Sequence, residues 1–117
     1  LKHLLILNDP PYGTERSYNG LRMAHALAKT DEEAEITVFL MADAVACAKA
    51  GQAPPEGLYN LERMVRRVLS AGGRVLMCGT CMDVRGLRAE EVVDGADRST
   101  MDELAAATCA ADRVMVF

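Results

Sequence analysis

The sequence predicts an α/β fold: a three-layer α/β/α sandwich around a mainly parallel five-stranded sheet. Two observations carry that expectation. Short apolar runs alternate along the chain with helical segments of one to four turns, as right-handed βαβ crossovers require. The runs themselves are continuously apolar rather than alternating, the pattern of strands covered on both faces.

The first strand, Leu4-Leu5-Ile6-Leu7, ends where Asn8-Asp9-Pro10-Pro11-Tyr12-Gly13 forbids a regular element. Thr14 or Ser17 is expected to cap a helix over about residues 15 to 29, carrying Tyr18, Leu21, Ala24 and Leu27 at helical spacing. Ile36 to Met41 is β-branched and aromatic, and Asp43 then caps a short Ala-rich helix that stops at Gly51. Gly51 to Gly57 holds too much Pro and Gly for an element and reads as an internal loop over a site. Asn60 caps a helix with Leu61, Met64, Val65, Val68 and Leu69 on one face and Glu62, Arg63, Arg66 and Arg67 on the other, ending at Gly72-Gly73. A strand follows at Arg74 to Cys78, and a weak extra one is expected near Glu91 to Ala96. Thr100-x-x-Glu103 is a capping box opening a helix through Met101, Leu104, Ala105 and Thr108, and Arg113 to Phe117 is a further strand.

With 117 residues, 13 Lys and Arg against 17 Asp and Glu, and half of its residues apolar, the sequence reads as one ordinary globular domain over residues 1–117. A chain of this size buries enough surface to fold without metal or disulfides. A net charge of −4, no Trp, two Phe and three Tyr argue against a nucleic-acid partner, which calls for a basic face and stacking rings. No apolar run is long enough to span a bilayer, and Leu1-Lys2-His3-Leu4 lacks a signal-peptide core, so the expected location is the cytoplasm, with no membrane partner. Cys47, Cys78, Cys81 and Cys109 are then expected to be reduced, and one Cys-x-x-Cys without further ligands makes neither a zinc site nor any metal site. Neither G-x-G-x-x-G nor G-x-x-x-x-G-K-[ST] is present, so no nucleotide or other cofactor is expected.

The chemistry concentrates on Cys78. It ends a buried strand and is followed by Gly79-Thr80-Cys81-Met82-Asp83-Val84-Arg85-Gly86, a turn into a brief helix whose amino terminus, with Arg85 or Arg88, favours a thiolate. Cys81 stands ready to resolve a persulfide or mixed disulfide on Cys78; the bland alternative is two small side chains filling a corner. Cys47, among alanines, and Cys109, on the apolar face of the last helix, read as core residues. His3 and His25 have no acidic partner nearby in sequence and stay unassigned.

Asn8-Asp9-Pro10-Pro11-Tyr12-Gly13-Thr14-Glu15, Phe39-Leu40-Met41-Ala42-Asp43-Ala44-Val45, the Cys78 to Gly86 segment, and Ser99-Thr100-Met101-Asp102-Glu103-Leu104 through Val114 to Phe117 together resemble the DsrE/DsrF-like sulfur-relay proteins, most of all their YchN-like branch. The resemblance runs over essentially the whole chain. It implies a five-stranded parallel domain assembling as a homo-oligomer, a trimer or hexamer. It also implies a persulfide on the cysteine eight residues before the glycine of an Arg-Gly step, which here is Cys78 before Arg85-Gly86. Cys81 departs from members with a single working cysteine.

The leading expectation is therefore a sulfur carrier loaded on Cys78, sulfurtransferase-like if active, with donor and acceptor proteins as partners. Cys78 and Cys81 are the candidate catalytic residues, and Asn8, Tyr12, Gly79, Thr80 and Arg85 the candidate substrate contacts. Two alternatives stay open: a non-catalytic homo-oligomeric module that binds a small ligand, and a dithiol redox protein using Cys78 and Cys81. Cys78 is expected in a shallow pocket lined by the Asn8 to Gly13 loop and walled by Gly51 to Tyr59 of the same or a neighbouring subunit.

Overall fold

The computed structural model describes all 117 residues and contains a five-stranded, all-parallel sheet in the order β4-β3-β2-β1-β5. The strands are β1 (Lys2–Leu7), β2 (Glu35–Leu40), β3 (Arg74–Cys78), β4 (Ala96–Ser99) and β5 (Arg113–Val116); the helices are α1 (Arg16–Thr30), α2 (Leu61–Ser70), α3 (Gly79–Val84) and α4 (Met101–Ala110). The first three strands are neighbours in sequence order, so α1 and α2 return over the same face. There Leu5, Leu7, Val38, Leu40, Val75 and Met77 meet Leu21, Ala24, Leu61, Val65 and Val68.

After β4 the chain must reach the far edge, and α4 makes that crossing over the opposite face. Its Leu104 packs on Leu4, Phe39 and Leu76, with Ala107 and Ala111 beside it. One ten-residue helix cannot cover a five-stranded face. Val114 and Val116 on β5 and Met101 on α4 therefore remain exposed, and Ile6 and Met41 only partly buried.

Several expected elements change in detail. Neither Thr14 nor Ser17 caps α1: Glu15 occupies the cap without a side-chain bond, while Thr14 Oγ1 and Ser17 Oγ donate to the Asp9 carboxylate and carbonyl. The Ala-rich segment is a 3-10 helix, Ala42–Ala48, entered from Met41 and not capped by Asp43. Its end is tied to the later chain by the Lys49–Val92 bridge and by Ala50 N–H donating to Glu91 C=O. The weak extra strand begins where it was expected to end, because residues 89–91 form a second 3-10 turn and pairing with β3 starts at Ala96. Along α4 only Leu104 is buried, which leaves Met101, Ala105 and Thr108 at the surface.

Candidate functional site

Because all strands run the same way, the connections that follow β1, β2, β3 and β4 gather at one end of the sheet, the usual ligand end of such folds. Cys78 closes β3 there. It is the N-cap of α3, and its Sγ accepts the Cys81 N–H at 3.4 Å. Cys81 Sγ in turn accepts the Ala42 N–H at 3.2 Å. Ala42 is the one non-glycine residue with positive φ, 51°, a left-handed conformation that a side chain disfavours. That turn out of β2 is what brings the Ala42 N–H to the second sulfur.

Both sulfurs are half-buried and side by side. Burial raises the Cys81 thiol, and the Cys78 sulfur raises it further through hydrogen bonding and charge, against the Ala42 N–H and Arg85. Cys81 thus keeps its proton to higher pH and can offer it to Cys78.

A second positive charge beside this pair, in addition to Arg85, comes from a residue the sequence reading did not single out. Arg98, on β4 next to β3, passes over the first residue of α3, where a Cβ on Gly79 would come within 2.7 Å of its Nε. The absence of that Cβ opens the lane. Arg98 then grips Asp83 with two bonds of 2.8 Å, which holds the Asp83 carboxyl low. The guanidinium itself is pushed up, first by Asp83 and also by the Cys78 sulfur. Its sequence signal is faint, since Ala-Asp-Arg-Ser has no strand character and only the pairing with β3 brings Arg98 here.

Arg85 plays a different part. It pairs with Asp43 at 2.8 Å and donates to the Cys81 carbonyl at 3.0 Å, bracing α3 against the preceding 3-10 helix. Thr80 is exposed on the first turn of α3.

Asn8 and Tyr12 lie at the same end of the sheet, with their polar atoms bonded within the fold. Asn8 Nδ2 donates to the Phe117 carbonyl at 3.3 Å. Tyr12 Oη donates to Gln52 Oε1 at 2.7 Å and accepts the Leu61 N–H at 3.2 Å, while its ring stacks on Tyr59 and Tyr59 stacks on Tyr18. The Asn8 to Gly13 loop and the Gly51 to Tyr59 segment therefore meet each other. Neither segment bonds the two sulfurs: those bonds come from residues 42 and 81, and β2 stands between the strands that end before Asn8 and at Cys78.

Cys47 is a core residue, as expected, fully buried and with its thiol pushed up to about 12 by that burial. Cys109 is exposed, contrary to expectation, because α4 touches the sheet through Leu104, Ala107 and Ala111 and turns position 109 outward. His25 bonds the Met64 carbonyl at 3.0 Å and ties α1 to α2; His3 is buried near the opposite end of β1.

Comparison with known proteins gives one consistent answer. Protein YchN of Escherichia coli K12 is 38% identical over 116 residues, covering 99% of this chain and 98% of the relative. An uncharacterized protein of Methanocaldococcus jannaschii is 35% identical over 117 residues, the whole of both chains. The crystal structure of the Escherichia coli ychN protein superposes with a TM-score of 0.94, covering 99% of this chain and 98% of that one. A protein of unknown function from Methanobacterium thermoautotrophicum, only 14% identical, shares the fold at a TM-score of 0.79. The profile of the DsrE/DsrF-like family matches residues 2–117, and with this coverage and these identities the chain belongs to the DsrE/DsrF-like family.

Proposed function

We propose that the protein is a sulfur carrier in which the Cys78 thiolate takes sulfane sulfur from a donor protein and passes it to an acceptor. The observation that carries this reading is the difference between the two sulfurs: Cys78 is half-exposed at the sheet end with an N–H and a guanidinium beside it, while burial and the Cys78 sulfur push the Cys81 thiol up. The Cys78 thiolate attacks the outer sulfur of a donor persulfide, R–S–SH. A new S–S bond forms at Cys78, the donor's S–S bond breaks, and R–S⁻ leaves with the bonding pair, so no net oxidation occurs. An acceptor thiolate repeats the same exchange in the other direction.

Cys81 is the proton-holding partner in this scheme, and Gly79 and Arg85 keep the surrounding charges in place. The bare valines and Met101 over the thinly covered sheet face support a homo-oligomer, a trimer or hexamer, as the working form.

Intact mass after exposure to a sulfane-sulfur donor tests the reading, with Cys78→Ser and Cys81→Ser beside the parent. A gain of one sulfur that only Cys78→Ser abolishes is the expected result. Loss of two hydrogens in place of that gain turns the assignment to a 78–81 dithiol couple. No change in the parent sinks the carrier and leaves a binding module.

A further inference from the structure

We propose that the Ser99 hydroxyl holds the negatively charged sulfur at Cys78, donating a hydrogen bond to the thiolate and, in the loaded protein, to the outer sulfur of the persulfide. The second half rests on the carrier reading; the first half stands without it.

Ser99 is 2% exposed and its Oγ has no hydrogen-bond partner. A hydroxyl buried in that state destabilises the fold relative to an apolar side chain of the same size, so its presence calls for an explanation outside the resting structure. The strand register supplies one. Ser99 on β4 is the direct partner of Cys78 on β3. Partners in such a pair lie one strand spacing apart and face the same side, which puts the hydroxyl within a rotamer change of the sulfur. In the resting protein Cys78 Sγ accepts the Cys81 N–H and faces the Cys81 thiol, and an ionised or extended sulfur has room for a further acceptor contact.

The other charged and titratable groups at this end of the sheet are left unaltered by a substitution at Ser99. They are Cys81 on α3, Arg98 with its partner Asp83, the Arg85–Asp43 pair, and the carboxylates Asp102 and Glu103 in the first turn of α4. Arg98, one residue before Ser99, leaves β4 on the opposite face by strand alternation and reaches the Cys78 end of β3 over Gly79, a route that does not pass Ser99. A shift in Cys78 behaviour in Ser99→Ala therefore reports the hydroxyl.

The test is the rate of Cys78 alkylation by iodoacetamide against pH, resolved by site with mass spectrometry, in the full chain. Ser99→Ala is expected to raise the midpoint by about one pH unit, roughly tenfold slower labelling well below the midpoint, the scale of a hydrogen bond to a charged group. Because an unsatisfied group is removed, Ser99→Ala should melt no lower than the parent, whereas loss of a purely structural hydroxyl would lower the melting temperature and leave the midpoint still. Ser99→Thr and Ser99→Val form a pair of matched size that carries the test should Ser99→Ala not fold: Thr keeps the parent midpoint and Val raises it. In protein loaded with a sulfane-sulfur donor, the persulfide of Ser99→Ala should be lost to glutathione several-fold faster than that of the parent. An unchanged midpoint in Ser99→Ala, or equal midpoints for Thr and Val, overturns the proposal. If the parent takes up no sulfur while the midpoint still shifts, the carrier reading falls and the hydroxyl contact stands.

Discussion

At the scale of single residues, the site depends on a side chain that is missing. A methyl group at position 79 would occupy the space of the Arg98 guanidinium, which is the free end of a flexible side chain and moves aside at little cost. Gly79→Ala should therefore change stability by less than about 1 kcal/mol, helped by alanine's better helix propensity in α3. The guanidinium would then leave Cys78, and labelling of that thiol at mildly acidic pH should slow. Parallel urea melts and site-resolved alkylation separate the two effects; normal labelling of Cys78 in Gly79→Ala would remove Arg98 from the account. In the same experiment Cys47, buried and with its thiol pushed up to about 12, should stay unlabelled in folded protein, while exposed Cys109 is labelled. The place of Cys78 between a strand and a helix was legible in the sequence. Arg98 was not, because its neighbourhood is created by pairing across strands that sequence spacing does not reveal.

Among elements, those with strong local chemistry appear where the sequence placed them. Asn60 accepts the Arg63 N–H at 3.0 Å and opens α2, and Thr100 accepts the Glu103 N–H at 3.1 Å and opens α4. Asn60→Ala should cost about 1 kcal/mol in a urea melt, the usual value of such a cap. Gly20, by contrast, lies buried in α1 where a Cβ would collide with Leu7 Cδ2 and press on the Phe117 ring, so Gly20→Ala should cost about 1–3 kcal/mol despite the gain in helix propensity. A smaller loss for Gly20→Ala than for Asn60→Ala would contradict that packing.

The α1–α2 contact also carries a pH dependence. Burial lowers the His25 pKa, with Arg67 and Lys29 acting in the same direction and the Met64 carbonyl against them. The unfolded chain thus binds the proton more readily than the folded one. Stability is full above about 6.5, falls as pH drops below that unfolded value, and levels off once pH is below the folded value. His25→Gln should flatten this part of the profile. What the sequence hid at this scale were β4 and the 3-10 helix, both shaped by distant partners: an edge strand of polar residues needs only the backbone of β3, and residues 42–48 are tightened by their ties to residues 91–93.

For the whole molecule, the uneven covering of the sheet decides how it meets its surroundings. Val116 is 66% exposed and Val114 41%, on the face that α4 crosses alone. Association through this face predicts that Val114→Asp with Val116→Asp yields a folded chain of lower mass by light scattering, since neither side chain contributes to the buried core. An unchanged mass would place the contact elsewhere. The strand order has a consequence for synthesis. β1, the first of the five strands to be synthesised, takes one of its two neighbours from β5, the last of the five. Until residues 113–116 emerge, the nascent sheet shows an apolar, unpaired edge along His3 to Ile6, a template for pairing with another incomplete chain. Translation that stalls within α4 therefore leaves the most adhesive form of this sheet, and delivery of β5 converts it into one whose central strands are all paired.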